Sequence, residues 1–198
     1  YIASYTGHNR DLDFAWHAYG EKVNKELVGT LGNFLYRTIL FAHRNYQSVP
    51  EGKVDPMVMA EVENTIEKIR DGLDEYEFKK IADSIIGLAA YGNRYLQSGE
   101  PWKLTKTDPE KAAETIHNCL WLIKALAVLM EAIFPFKAKE VWRQLGTPKK
   151  DTLMSEALMP LDAGTPIAKP TPIFEQVSKE TIAELSELVS KRIEEASG

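Results

Sequence analysis

Asn33 and Arg37 have side-chain types and a spacing that could carry out recognition chemistry. Because they are four residues apart, they project from one face of a helix, and Arg44 follows on a similar bearing. An amide beside a guanidinium can read the edge of a nucleic-acid base and hold a phosphate. The alternative is an exposed polar face with a hydrogen bond inside the helix, and the pattern alone favours that alternative.

A tryptophan next to a proline provides a second candidate. Trp102 follows Pro101 just beyond the expected end of a helix at Ser98-Gly99. Its ring is either a lid on the hydrophobic core or an exposed platform for a nucleic-acid base, and such stacking contributes about 1–3 kcal/mol per base. The sequence leaves these two possibilities open.

Motifs for other kinds of chemistry are missing from the sequence. It contains no glycine-rich phosphate loop, no paired-cysteine or His-Glu-x-x-His metal motif, and no nucleophilic serine flanked by glycines. His117 and Cys119 are two residues apart on a predicted helix and point to different faces, so we expect a packed thiol and a surface imidazole. The sequence therefore predicts no catalytic residue and no metal ligand.

Composition indicates one domain, or one domain with a small appendage. Of the 198 residues, 44% are apolar and the net charge is −5. The longest apolar run, residues 119–134, is short for a bilayer crossing and contains two charges. A single cysteine suits a reducing compartment, and no signal-peptide pattern opens the chain. We expect a cytoplasmic location and no membrane partner.

Acidic residues are concentrated in two segments. Residues 51–107 carry 8 Lys/Arg against 11 Asp/Glu, and residues 151–198 carry 4 against 9. Residues 1–50 carry 5 against 4, and residues 108–150 carry 7 against 5. Without a broad basic face, non-specific nucleic-acid binding is excluded and no DNA partner is expected. The first helix lies in residues 1–50 and the central hairpin in residues 108–150. A polyanion should bind at one of these neutral to mildly basic segments.

The elements that position these residues are helical. A first helix is expected from Asp13 to about Tyr46, and the Asn33/Arg37 face lies away from its apolar seam. Asp55-Pro56 starts a second helix that reaches about Asp71-Gly72. The seam of the first helix consists of Val23, Leu27, Leu31, Leu35 and Ile39.

A third and a fourth helix are expected, and the fourth should lie at the centre of a bundle. The third runs from near Asp74 to Ser98-Gly99, and the fourth starts at the capping sequence 107–110 and continues to Phe134. Because the fourth is apolar on nearly every face from Cys119 onward, it belongs at the centre. The apolar side of the third helix consists of Phe78, Ile81, Ile85, Leu88, Ala89 and Leu96.

The C-terminal part changes in composition. Pro135 interrupts the fourth helix, and an amphipathic helix with Val141, Trp142 and Leu145 follows. Prolines between 160 and 172 predict an extended strap. A last helix, from Lys179 to about Ala196, has an expected inner face of Ile182, Leu185, Leu188, Val189 and Ile193. The predicted fold is all-α: an antiparallel helix bundle with a proline-rich C-terminal strap and a final helix.

The run from Asn24 to Arg37 resembles the start of the anticodon-binding domain of methionyl-tRNA synthetase, a class I enzyme. The resemblance covers essentially the whole chain and is most similar to the archaeal branch. Further segments that carry it are Arg10-Asp11-Leu12-Asp13-Phe14, Asn93-Arg94-Tyr95-Leu96 with Pro101-Trp102, Phe134-Pro135-Phe136 with Val141-Trp142 and Leu145, and Lys169-Pro170-Thr171-Pro172-Ile173-Phe174.

The resemblance implies a function and a site. Asn33, Arg37 and Trp102 would contact the first anticodon base, a cytosine, of tRNA(Met). The parent enzyme would join methionine to tRNA with ATP, and this part would bind the anticodon loop and orient the tRNA. The ATP-site signatures and a zinc-bearing insertion would lie upstream, in a catalytic partner domain. This chain, a fragment, should then hold no cofactor and be non-catalytic by itself.

The same resemblance implies a division of the chain. Residues 1–14 would be the end of a linker from the catalytic region, residues 15–150 the helical anticodon-binding domain, and residues 151–198 a strap and helix that pack back on it. Two alternatives remain open. One is the corresponding domain of a leucine, isoleucine, valine or cysteine enzyme, and the other is a helical scaffold without RNA binding.

Overall fold

The computed structural model describes residues 1–5, 14–148 and 152–197, and within these ranges the chain is all-helical, as predicted. The motif residues 10–13 lie outside them. A π-helix, Val23–Gly32, joins α2 to α3, and 3₁₀ turns occupy Met130–Ala132 and Met154–Leu158. The α-helices are α1 (Ile2–Tyr5), α2 (Trp16–Lys22), α3 (Asn33–Asn45), α4 (Pro56–Asp74), α5 (Phe78–Gly99), α6 (Pro101–Leu104), α7 (Pro109–Leu129), α8 (Pro135–Gln144) and α9 (Lys179–Ser197).

The first long helix runs without a break from Trp16 to Asn45, but its middle is a π-helix that the sequence analysis did not predict. In a π-helix each N–H bonds to the carbonyl five residues back. The Thr30 hydroxyl repeats that spacing by donating to Lys25 O at 3.1 Å. The predicted seam faces the core: Leu31, Leu35 and Ile39 are completely buried, and Val23 and Leu27 are half-buried.

Helices α4 and α5 form a hairpin whose start was predicted from its cap. The Asp55 carboxylate accepts a hydrogen bond from Met57 N at 2.8 Å, and Pro56 opens the helix. Helix α5 begins at Phe78, later than the expected start near Asp74, because a turn through Tyr76 intervenes. Phe78 is exposed, so its predicted place on the buried side is wrong. The other predicted apolar positions of α5 are buried: Ile81, Ile85, Leu88, Ala89 and Leu96.

Helix α7 occupies the centre of the bundle, as its all-round apolar pattern predicted. Asp108 caps it by accepting from Lys111 N at 3.1 Å, and every residue from Thr115 to Met130 is buried. The segment Pro109–Ala132 is long and apolar enough to cross a bilayer by length and composition alone, but 89% of its most apolar window is buried in the protein. It is therefore accounted for as a core helix, packed against α3, α4, α5, α6 and α8.

The strap is extended, as predicted, and it is fixed to the bundle by backbone pairing. Val49 N donates to Thr165 O at 2.9 Å, and Ile167 N donates to Gln47 O at 3.0 Å. This pairing includes the isolated bridge between Ser48 and Pro166. Buried strap side chains anchor it further: Leu161, Ile167, Pro170 and Ile173.

Helix α9 packs on α2 through its first turns. A Cβ on Gly20 would overlap the Ile182 side chain, which shows how closely the two helices approach. The predicted inner face is only partly correct. Ile182 and Leu185 are half-buried, but Leu188 is 47% exposed and Val189 is also exposed, because α9 extends past the surface that covers its first turns. The Ile193 side chain lies outside the described part.

Candidate nucleic-acid interface

The structure brings two of the predicted site residues into direct contact. Arg37 projects from the second turn of α3, and its guanidinium carbon lies 5.9 Å from the centre of the Trp102 ring on α6. Trp102 is 38% exposed and Arg37 is also exposed. The ring is therefore not a lid on the core. A guanidinium over an indole is a favourable cation–π arrangement.

The backbone before Trp102 fixes where the ring lies. Helix α5 ends at Gly99, and Glu100 adopts a left-handed conformation with a φ of 38°. Pro101 then opens the short helix α6, since its fixed φ suits a first helical turn. Pro101 itself is buried, so the chain is anchored next to the exposed ring. The end of α5 at Ser98-Gly99 was predicted, but the short helix α6 was not.

Asn33 lies one helical turn before Arg37 and bonds across to α5. Its Nδ2 donates to Asn93 Oδ1 at 3.3 Å. Asn93 in turn donates to Thr30 O at 2.9 Å and to Ala89 O at 3.1 Å. The alternative of a hydrogen bond within the helix is therefore wrong for Asn33, which is held by a neighbouring helix.

Arg37 separates two surface depressions. A groove of about 640 Å³ between the first helix and α5 is lined by Asn33, Arg37, Asn93 and Arg94, among others. A smaller depression of about 290 Å³ on the other side of Arg37 includes Trp102 and Arg44. All three predicted residues therefore border one continuous surface, with Arg37 in its middle.

Three guanidinium groups give this surface its charge. Arg37, Arg44 and Arg94 are exposed, and no carboxylate in the described part of the chain forms an ion pair with them. Arg94 lies 6.0 Å from the Tyr91 ring. Guanidinium groups that form no ion pair suit phosphate oxygens, which they can bind with two parallel hydrogen bonds.

Asn93 and Arg94 also line this surface, and they were not predicted as site residues. They contributed only to the resemblance, because nothing local to 93–94 shows that α5 delivers them beside Asn33. Their signal was the sequence Asn-Arg, an amide and a guanidinium like the Asn33/Arg37 pair.

The other candidates lie in the core. Cys119 is completely buried, as expected, and burial raises the pKa of its thiol. His117 is buried too, with Nδ1 2.9 Å from Pro50 O, so the predicted surface imidazole is wrong. Among the described residues no group of three His, Cys, Asp or Glu side chains is arranged to hold a metal ion.

Family comparisons now bear on this surface. Residues 47–192 match the model for the anticodon-binding domain of methionyl tRNA ligase. The chain belongs to this family. Residues 1–39 match a second model, that of class I tRNA synthetases for methionine. Of the three candidate residues, Asn33 and Arg37 lie in the region matched by the second model, and Trp102 lies in the region matched by the first.

Curated relatives are methionine–tRNA ligases from archaea. That of Methanosarcina acetivorans is 46% identical over 198 residues, which are 99% of this chain and 28% of that protein. That of Methanococcoides burtonii is 44% identical over 99% of this chain and 29% of that protein. The chain spans less than a third of the length of these relatives. The archaeal resemblance is confirmed, and membership of the methionine family replaces the leucine, isoleucine, valine and cysteine alternatives.

Solved structures support the same fold. Apo methionyl-tRNA synthetase of Mycobacterium tuberculosis superposes with a TM-score of 0.78 at 20% identity, over 83% of this chain and 35% of that one. The same enzyme in complex with methionyl-adenylate gives 0.75 at 21% identity, over 80% and 33%. At these identities the similarity establishes the helical architecture alone.

Proposed function

We propose that this chain binds the anticodon loop of tRNA(Met) and positions the tRNA for ATP-dependent attachment of methionine by the catalytic part of a longer protein. The observation that carries the proposal is the exposed Arg37–Trp102 pair, with a ring-to-guanidinium distance of 5.9 Å, next to Asn33. ATP and zinc chemistry would belong to the catalytic part, and the whole would act in the cytoplasm.

The chemistry of the surface supports a single-stranded RNA ligand. Bases of an RNA loop can be splayed out, stacked on aromatic rings and hydrogen-bonded at their edges. Trp102 offers an exposed ring for stacking, and Arg37 and Asn33 offer groups for a base edge. The open groove, with a volume of about 640 Å³, leaves room for a base beside Arg37.

The charge distribution supports the same ligand and limits it to a small site. Arg37, Arg44 and Arg94 border the surface, while the protein as a whole has a net charge of −5. Binding should therefore involve a few phosphates and weaken moderately with salt, unlike binding through a broad basic face. This favours a structured loop over extended duplex.

The test is the affinity of the 198-residue chain for anticodon stem-loop RNAs that differ only in the first anticodon base. We expect preference for cytosine and a loss of affinity when Trp102 is changed to alanine. A folded chain that binds none of these RNAs would support the scaffold alternative. Equal binding to every loop, with no effect of Trp102→Ala, would remove this surface from the proposal.

A further inference from the structure

Asn93 lies behind Asn33 on the neighbouring helix α5, and its own hydrogen bonds are fully determined. Its amide nitrogen donates to two backbone carbonyls, Thr30 O at 2.9 Å and Ala89 O at 3.1 Å. A side-chain amide nitrogen carries two hydrogens, so both donors are used. The oxygen of Asn93 consequently points toward Asn33.

This arrangement fixes the orientation of the Asn33 amide. Asn93 Oδ1 can only accept, so Asn33 presents its nitrogen to it, at 3.3 Å. Asn33 Oδ1 is then turned away from Asn93. Within the described part of the chain no group donates a hydrogen bond to Asn33 Oδ1. This oxygen is also absent from the buried side-chain atoms that lack a partner, so it is not buried. The oxygen is open to the groove that Asn33 lines.

We infer that Asn93 is a positioning residue that selects cytosine over uracil at the first anticodon position, by holding the Asn33 oxygen toward the base. The inference rests on the proposed function. Cytosine has an amino donor at C4, whereas uracil has a carbonyl acceptor at the same place. An Asn33 oxygen directed at the base accepts a hydrogen bond from the cytosine amino group and repels the uracil carbonyl oxygen.

The C4 group is the difference that an acceptor on the protein can read, and the other side chains of the site offer no such acceptor. The Arg37 guanidinium only donates, and both pyrimidines have an acceptor at O2, so a contact at O2 does not separate them. At N3 cytosine accepts and uracil donates, so a guanidinium contact there would add to the preference for cytosine. The Trp102 ring stacks on any base, because every base has a π face. An Asn33 amide free to rotate could present either its nitrogen or its oxygen and would accept both bases. Discrimination at the C4 group therefore depends on the anchored Asn33 amide.

The test compares affinities of the 198-residue chain for two anticodon stem-loop RNAs, with cytosine or uracil as the first anticodon base, by fluorescence anisotropy. Asn93→Ala frees the Asn33 amide and should lower the cytosine-to-uracil affinity ratio by about tenfold, the effect of losing one base-edge contact. Asn93→Asp still accepts from Asn33 but no longer donates to Thr30 or Ala89. It should keep most of the ratio while lowering the melting temperature.

Asn118 offers a matched control, because it has the same bonding pattern in another part of the core. Its Nδ2 donates to Lys53 O at 2.8 Å and to Glu114 O at 2.9 Å, and its Oδ1 accepts from Asp55 N at 2.9 Å. Asn118→Ala should lower the melting temperature and leave the affinity ratio unchanged. If Asn93 had only a structural role, Asn93→Ala would behave like Asn118→Ala: it would lower the melting temperature and leave the affinity ratio unchanged.

A double-mutant cycle completes the test. If Asn93 acts through Asn33, adding Asn93→Ala to Asn33→Ala should change the ratio no further. An unchanged ratio in folded Asn93→Ala would overturn the inference and leave the proposed function standing, since the RNA would still bind. If Asn93→Ala does not fold, Asn93→Asp takes its place. Loss of the cytosine-to-uracil preference in folded Asn93→Asp would then overturn the inference. Failure of the unmodified chain to bind either RNA would overturn the proposed function itself.

Discussion

The guanidinium carbon of Arg37 lies 5.9 Å from the centre of the Trp102 ring, although the two residues fall in regions that match different family models. Arg37 belongs to α3 and Trp102 to α6, and both helices pack against α7. The pair therefore forms only when the two regions share the central core. A change that separates α3 from α7 would also separate the cation from the ring.

Trp102→Ala should weaken binding of the anticodon stem-loop by about 1–3 kcal/mol, the contribution of one stacked base. Because the ring is 38% exposed, the free energy of unfolding should fall by less than it does for a completely buried tryptophan. Calorimetric titration with the RNA and thermal melting followed by circular dichroism measure the two quantities.

Trp121→Ala provides the contrasting control. Trp121 is completely buried, and its indole nitrogen donates to Ala157 O at 2.9 Å. Truncating a buried tryptophan of this kind costs about 3–5 kcal/mol of folding stability. A stability loss of that size for Trp102→Ala, with RNA affinity unchanged in the folded fraction, would contradict the stacking role. Trp102→Phe should retain part of the affinity, since a smaller aromatic face remains.

Arg37→Ala should reduce both the RNA affinity and its dependence on salt. If the guanidinium contacts one phosphate, the slope of log K against log salt should become shallower by about one unit or less. The fold should be unaffected, because the side chain is exposed. Arg70→Ala, an exposed arginine on α4, is the matched control and should leave the slope unchanged. Loss of helicity with an unchanged slope would make Arg37 a structural residue.

Local signals predicted the helix starts and the composition of the helix faces. Asp55 and Asp108 were recognised as caps because the hydrogen bond that a cap makes is to a neighbour in sequence. The π-helix was not predicted, since a four-residue apolar stagger suits an α-helix as well. Gly32 is compatible with the π geometry, in which a Cβ would lie 2.9 Å from Leu27 O. The pattern of α9 showed which face is apolar, but not that Leu188 would remain uncovered.

The candidate site was also predicted only in part, for the features that depend on local sequence. That Asn33 and Arg37 share a face follows from a spacing of one helical turn, so the sequence was enough. The exposure of Trp102 depends on the left-handed Glu100, which no local pattern indicates. The bond from Asn33 to Asn93 depends on the packing of α5 against the first helix, and it could only be found in the folded structure.

Glu140 should make the stability of the protein depend on acid. Hydrogen bonds from Arg143, with smaller contributions from Gln144 and Thr171, lower the pKa of this carboxyl from 4.5 to about 2. A depressed pKa in the folded state stabilises the protein above the unfolded value, and this stabilisation is lost as the pH falls from about 5 to 2. Since the Glu140 side chain is one-third exposed, the contribution at neutral pH should stay below about 1 kcal/mol.

Glu140→Gln removes the titrating group and tests this assignment. Urea unfolding between pH 7 and pH 2 should show a shallower loss of stability for the variant than for the unmodified chain, with the two curves converging in acid. Parallel curves over the whole range would show that Glu140 is not linked to folding. A carboxyl chemical-shift titration of Glu140 would measure its pKa directly.

Gly146 should be intolerant of any side chain, because it fixes the strap to the end of α8. Its φ is 74°, a left-handed conformation, and a Cβ there would overlap the carbonyl oxygen of Pro166. Gly164 also has a positive φ, 84°, but nothing lies within 4 Å of its Cβ position. The two glycines therefore share a left-handed backbone conformation and differ in the space available for a side chain.

Gly164→Ala should lower the free energy of unfolding by about 1–2 kcal/mol, the strain of a left-handed non-glycine residue. Gly146→Ala adds the overlap with Pro166 O and should cost more, and it should also loosen the strap. Hydrogen exchange at Val49 N and Ile167 N, whose bonds cross from the bundle to the strap, should accelerate in Gly146→Ala beyond the increase seen in Gly164→Ala. Equal stability losses and equal exchange in the two variants would show that strain alone, and not the contact with Pro166, makes glycine necessary at 146.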